Sequence, residues 1–274
     1  MKASQRRALG QHFLADPVVA GRILDAVGAT AADLVCEIGA GTGVLTELLT
    51  GRAGHVVALE LDPVLHARLA ARGDRGSAVD LRLADARTFP YQTLRDLLPR
   101  PQGRVLVVGN LPYSASKPIL LRLWEARSTL DVATVMLQRE VAERLVALPG
   151  GKAYGILSVL WQAWAELALL FVVPPRAFRP PPAVESAVLR AVFRATPLVP
   201  ITDPAAFVRV VKAAFGQRRK TLANALRAGL PGLGAAGVEA GLTAAGIDGR
   251  RRAETLSLAE FARLAHFFVG LEAA

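Results

Sequence analysis

The aliphatic run Arg104-Val105-Leu106-Val107-Val108 leads straight into Gly109-Asn110-Leu111-Pro112-Tyr113, and these residues suit one kind of chemistry. The Asn110 side-chain carbonyl and the Leu111 main-chain carbonyl are two acceptors adjacent in the chain. Pro112 stiffens the loop, and Tyr113 offers a ring face. Two acceptors beside an aromatic face fit a planar base that bears an exocyclic amine. In adenine that nitrogen is a poor nucleophile, because its lone pair is delocalised into the ring. Acceptors on its hydrogens favour rehybridisation towards sp³, and stacking on the ring is worth about 1–3 kcal/mol per base. Proximity and orientation then supply most of the acceleration towards an electrophilic carbon, with no general base needed beforehand. Standing alone, the same residues are an ordinary turn after a strand. Their meaning depends on the elements around them.

The run at 34–38 ends in Gly39-Ala40-Gly41-Thr42-Gly43 and is followed by an amphipathic helical pattern. Glycines at such a turn let the backbone bend sharply and approach a ligand closely. Twenty-one residues after Gly39, at the end of the next strand, Glu60 can accept hydrogen bonds from both ribose hydroxyls of a nucleoside cofactor. The spacing is G-x-G-x-G, not the dinucleotide pattern G-x-G-x-x-G. A third strand ends in Ala84-Asp85-Ala86, which places Asp85 to accept from an adenine amino group. Alone, Asp85 reads equally as a capping residue. With Glu60 it marks a pocket for S-adenosylmethionine, whose sulfonium makes its methyl group the electrophile.

The surrounding pattern can position such a site. Strands are expected near 34–38, 55–60, 79–83, 104–109, 132–137, 168–173 and 186–193, with helices at 17–27, 43–51, 63–72, 115–126, 139–147 and 155–166 between them. This alternation predicts a parallel sheet covered on both faces, an α/β fold of the Rossmann-like class I S-adenosylmethionine methyltransferase type. Beyond Thr196-Pro197-Leu198-Val199-Pro200 the chain turns Ala/Leu/Arg-rich without a convincing strand. The expected domains are therefore 1–197, the methyltransferase domain, and 198–274, a small all-helical domain whose basic clusters point to RNA binding.

The 274 residues carry 33 Lys and Arg against 23 Asp and Glu, a net charge of +10, which favours a polyanionic partner. The single cysteine, Cys36, excludes an internal disulfide and reads as a small buried hydrophobe. No metal site is expected. The apolar stretch 156–173 is interrupted by Ser158, Gln162 and Glu166 and reads as a buried helix followed by a strand. The basic N-terminus lacks a signal-peptide core, so a soluble, cytoplasmic protein is expected, monomeric by default.

The sequence resembles the KsgA/Dim1 family of ribosomal RNA small-subunit adenine dimethyltransferases from about Gly10 to Phe268. The resemblance rests on several motifs in order. They include Gly10-Gln11-His12-Phe13-Leu14, Glu37-Ile38-Gly39-Ala40-Gly41-Thr42-Gly43, Asn110-Leu111-Pro112-Tyr113 and Lys152-Ala153-Tyr154-Gly155. Two later motifs are Phe178-Arg179-Pro180-Pro181-Pro182-Ala183-Val184-Glu185-Ser186 and Phe215-Gly216-Gln217-Arg218-Arg219-Lys220-Thr221-Leu222. The resemblance implies N6,N6-dimethylation of two adjacent adenosines in the 3′-terminal helix loop of 16S rRNA in the immature small subunit. It implies that His12, Leu14, Gly39, Gly41, Glu60, Asp85 and Asn110 contact the cofactor, and that residues Asn110 to Tyr113 line the amine site. It makes Phe178 the second aromatic sandwiching the base, although the residues alone leave Phe178 equally well in the core. The departures, Ala115 and Lys117, leave the chemistry intact.

Basic residues supply a candidate RNA surface. The segment 215–227 is expected to be one helix, with Phe215, Leu222 and Leu226 on one stripe, Lys220, Asn224 and Arg227 opposite, and Arg218 and Arg219 flanking. Arg250-Arg251-Arg252 forms a second cluster before the last helix, and Lys2, Arg6 and Arg7 a third. A charge run is usually a solvated face; three clusters beside a base-modifying site favour phosphate contacts. The rival readings are an erythromycin-resistance-type methyltransferase of 23S rRNA and a catalytically silent ribosome-assembly factor. A NAD-dependent oxidoreductase fails on the loop spacing.

Overall fold

A computed structural model describes residues 12–72 and 78–272, so Gly10, Gln11 and the basic cluster Lys2, Arg6 and Arg7 lie outside the described residues. The chain divides into two compact units, one of residues 1–142 and 166–193, the other of residues 143–165 and 194–274.

The first unit is built on strands β1 (Phe13–Leu14), β2 (Leu34–Ile38), β3 (His55–Glu60), β4 (Val79–Leu83), β5 (Val105–Asn110), β6 (Val132–Gln138), β7 (Ala165–Val173), β8 (Phe178–Arg179) and β9 (Ser186–Phe193). Seven of them form one sheet in the order β4-β3-β2-β5-β6-β9-β7. β2 pairs in parallel with both β3 and β5, whereas β9 runs antiparallel to β6. β2 is buried along its whole length, which is why it reads as an unbroken apolar run. Helices α1 (Pro17–Val27), α2 (Val44–Leu49), α3 (Pro63–Ala70) and α4 (Ser116–Glu125) connect these strands, and α5 (Arg139–Leu145) follows β6. Asp16 and Asp62 cap α1 and α3 by accepting from first-turn N–H groups, with proline at the first helical position of each. All seven expected strands of the large sheet are present.

The register sets up the site. Ile38 lies opposite both Leu59 and Gly109, so the next residues, Gly39, Glu60 and Asn110, stand side by side at the strand ends. Here the order of strands reverses between β2 and β5, the place where ligands bind in open α/β sheets. The alignment is pinned at the other end of the strands by buried Asp33. Its Oδ1 accepts from the Arg104 main-chain N–H at 2.8 Å, and Oδ2 from Arg104 Nη2 at 2.7 Å. Burial alone would raise this carboxyl, but the hydrogen bonds from Arg104 and Thr30 outweigh it and hold the group well below the usual range.

The second unit is helical, with α6 (Ile156–Trp164), α7 (Pro204–Gly216), α8 (Leu222–Gly229), α9 (Gly234–Ala245) and α10 (Leu258–Glu272). Phe215 stacks on Phe261 at 5.8 Å, and Trp164 meets Phe207 edge-on at 5.5 Å. The expected single helix over 215–227 is not formed: α7 stops at Gly216, and 217–221 is a turn. The reason is non-local. The first N–H groups of α8, Leu222 and Ala223, donate to the carbonyls of Arg251 and Gly249 at 2.7 and 3.0 Å, not to α7. Residues 156–173 form a helix and then a strand, as expected. Among the described residues no helix is long and apolar enough to cross a membrane.

Candidate active site

The glycine loop after β2 is shaped by backbone that other residues adopt poorly. Gly39, Gly41 and Gly43 have φ of 73°, 56° and 86°. This brings the Gly41 N–H onto Glu60 Oε2 at 2.8 Å, while Oε1 accepts from the Asp62 N–H at 2.7 Å. Glu60 is buried, yet it lines a cleft of about 260 Å³ at the strand ends. Both carboxylate oxygens are thus fixed by backbone donors, and each keeps a further lone pair for a ligand hydroxyl.

Asp85 stands across from it, beyond the end of β4. Oδ1 accepts from the Arg87 N–H at 2.8 Å, and the Arg87 guanidinium reaches Oδ2 through Nη2 at 2.6 Å. The hydrogen bond from Arg87 holds the Asp85 carboxyl below its ordinary value against the opposing effect of burial. Asp85 therefore caps its turn and lines the cleft at once. The two readings of this residue are not exclusive.

Asn110 ends β5. Its Nδ2 donates to the His12 main-chain carbonyl at 2.7 Å. A carbonyl can only accept, so this bond fixes which end of the amide is oxygen. The His12 ring lies 5.4 Å from the Tyr113 ring, and its Nδ1 donates to the Pro180 carbonyl at 2.8 Å. The Tyr113 hydroxyl is 2.6 Å from Ser186 Oγ; burial pushes this phenol up, and Ser186 partly offsets it. Pro112 accepts from the Ala115 N–H at 2.9 Å, closing a turn that starts α4.

His12, Gly39, Gly41, Glu60, Asp85, Asn110, Leu111, Pro112 and Tyr113 all line this one cleft. Phe178 and Leu14 do not. They face each other across the antiparallel β1–β8 pair, and both side chains are buried in the main hydrophobic cluster. Directly opposed residues of such a pair share a face, and this face is the core. Phe178 here takes the core alternative. Phe13, Arg87 and Ser186 are site residues that the sequence did not reveal. Phe13 and Ser186 lie inside motifs quoted for the resemblance, but neither motif showed what the side chain touches. Cys36 is fully buried, and burial pushes its thiol up, as suits an inert core residue.

The basic clusters separate on inspection. Arg227 pairs with Glu239, and Arg250 with Asp248 at 3.1 Å. Arg218 donates to the Lys152 carbonyl at 2.5 Å. Arg251 bonds to Glu260 at 2.5 Å and to the Thr255 carbonyl at 2.7 Å, so it braces the helical unit. Among the described residues, Arg219, Lys220 and Arg252 make no ion pair. The bond from Arg251 lowers the Glu260 carboxyl to about 2. Its stabilising effect is therefore present above the unfolded value and fades as pH falls from about 5 towards 2. Glu260→Gln is expected to cost about 1–3 kcal/mol at pH 7. In thermal melts followed by circular dichroism, the gap between wild type and variant should narrow through that acidic window. A gap independent of pH would remove the tie.

Solved structures share this architecture. A dimethyladenosine transferase from Plasmodium falciparum aligns with a TM-score of 0.73 at 23% identity, covering 95% of this chain and 98% of that one. The 23S rRNA methyltransferase ErmE aligns at 0.65 and 26% identity, covering 95% of this chain and 99% of its own. The fold and the cleft define a class I S-adenosylmethionine-dependent methyltransferase. The family model for ribosomal RNA adenine dimethylase matches residues 2–269, and the chain belongs to that family. Proteins named ribosomal RNA small subunit methyltransferase A from Magnetococcus marinus and Anaeromyxobacter dehalogenans are 43% and 45% identical. The alignments cover 96% and 94% of this chain and 91% and 92% of theirs.

Proposed function

We propose that the protein dimethylates N6 of two adjacent adenosines in the 3′-terminal helix loop of 16S rRNA within the immature small ribosomal subunit. The observation that carries this reading is the Asn110 amide, locked by its bond to the His12 carbonyl so that Oδ1 remains as an acceptor in the cleft. The similarity to small-subunit methyltransferases supports the choice of RNA.

The residues present fit S-adenosylmethionine, since Glu60 offers two fixed acceptors to a ribose and Asp85 one to an adenine amine. Bound there, the cofactor supplies a sulfonium-activated methyl group. The flipped adenosine stacks on Tyr113, and unstacking it from the RNA costs a few kcal/mol that ring and phosphate contacts must offset. Asn110 Oδ1 and the Leu111 carbonyl accept from the amine hydrogens, which turns the nitrogen lone pair out of the ring. The nitrogen so presented would take that methyl group, with S-adenosylhomocysteine as the leaving group, and would give up its surplus proton to water. A second round methylates the same nitrogen. Residues 198–274 dock the RNA, with Arg218, Arg219, Lys220 and Arg252 on phosphates. The enzyme acts as a cytoplasmic monomer.

The second reading, methylation of 23S rRNA, is favoured by the likeness to ErmE. Labelled S-adenosylmethionine offered separately to undermethylated small and large subunits separates the two. Dimethyladenosine in small-subunit RNA is the expected product. Label in large-subunit RNA alone would promote the second reading, and no label despite binding would leave an assembly factor.

A further inference from the structure

The helical unit contains an open groove of about 460 Å³ that plays no part in the chemistry above. α7 contributes Arg209 and Lys212, α8 contributes Ala225, Ala228 and Gly229, and Gln217 just past α7 lines it too. The two helices approach closely because Gly229 has no side chain: a Cβ there would stand 2.5 Å from the Ala213 methyl. The result is a floor of small apolar groups with a cationic rim, and no carboxylate lines it.

Along the chain that forms the groove the sign of the charge is uniform. From Pro204 to Val238 the chain carries six cations and no Asp or Glu. An ordinary solvated helix face mixes signs at i and i+4, where opposite charges support each other. Lys212 is exposed, makes no ion pair among the described residues, and lies three residues from Arg209 on the same helix surface. Gln217 is followed at once by Arg218, Arg219 and Lys220, so the groove runs on into the basic turn. A concave, single-sign surface of this kind complements a polyanion.

We infer that the groove seats a ribose–phosphate segment of the ribosomal RNA, with Lys212 and Arg209 on the phosphate and the apolar floor beneath the sugar. The inference rests on the substrate reading given above. Contacts of this type position the RNA without reading its sequence, and each neutralised phosphate steepens the dependence of affinity on salt.

The test is binding of full-length protein to undermethylated small subunits, by filter retention between about 50 and 200 mM salt. Lys212→Ala should reduce the slope of log affinity against log salt by about 1. Lys212→Glu should weaken binding about tenfold or more at the lower salt. Ala228→Phe fills the groove at unchanged charge and should reduce the slope as Lys212→Ala does. S-adenosylhomocysteine affinity and the melting temperature should stay at wild-type values in all three. Wild-type slope and affinity in Lys212→Glu and Ala228→Phe would overturn the groove assignment alone. Weaker binding at an unchanged slope would assign the groove to a protein surface of the subunit and overturn the RNA assignment. Wild-type protein that binds no small subunit would overturn the substrate reading, and the groove with it.

Discussion

Asn110→Ala is expected to slow methyl transfer to small-subunit RNA by at least about 10³-fold, while S-adenosylhomocysteine still binds within about tenfold of wild type. Removing one preorganised polar group aimed at a transition state typically costs about 10²–10³ in rate. Here the loss is compounded, because the side chain also ties β5 to the His12 backbone through a 2.7 Å hydrogen bond. The companion variant Asn110→Asp discriminates between two explanations. If an acceptor oxygen were all the reaction needed, Asp would serve. An aspartate would instead set a carboxylate oxygen against the His12 carbonyl, two acceptors with no proton between them. It should therefore be as inactive as Ala. Single-turnover transfer to undermethylated small subunits measures the rate, and calorimetry with S-adenosylhomocysteine measures the pocket. Dimethyladenosine formed at an undiminished rate by Asn110→Ala would end the proposed role.

The strands that carry this site were legible because strands buried on both faces read as unbroken apolar runs, as Leu34 to Ile38 does. The cleft was legible because its chemistry sits at successive strand ends, and register brings Gly39, Glu60 and Asn110 together wherever the sheet forms. What stayed hidden depends on partners distant in sequence. The amide of Asn110 is oriented from 98 residues away, and Tyr113 meets Ser186 across 73 residues. Phe178 reads equally as site or core until the two-residue β1–β8 pair, too short to leave a period, turns it inwards. The helix expected over 215–227 fails because the loop at Gly249 and Arg251 takes the first donors of α8. Residue type shows that Arg227 and Arg251 are charged, but not that Glu239 and Glu260 stand beside them. Local pattern reports burial and period, while pairing is a property of the folded chain.

Glu60→Gln should lower affinity for S-adenosylmethionine by at least about 100-fold, although it changes one atom. A hydrogen bond to a charged acceptor contributes about 1.5–3 kcal/mol, and two ribose hydroxyls depend on this carboxylate. The larger cost is internal. Oε1 and Oε2 each receive a backbone N–H, from Asp62 and from Gly41. An amide can present only one oxygen, so its NH₂ must face one of those donors, leaving a buried N–H unpaired at about 1–3 kcal/mol. If the NH₂ faces Gly41, the glycine loop loses the bond that draws it over the cleft. If it faces Asp62, the turn that caps α3 loosens instead. Glu60→Asp keeps both oxygens but shortens the reach by one methylene, so it should fall between Gln and wild type. Calorimetric titration with S-adenosylmethionine ranks the three proteins, and a thermal melt of each without cofactor measures the internal cost by itself. Wild-type affinity in Glu60→Gln would mean that the ribose is held elsewhere in the cleft. A lowered melting temperature with wild-type affinity would leave Glu60 only the task of shaping the loop.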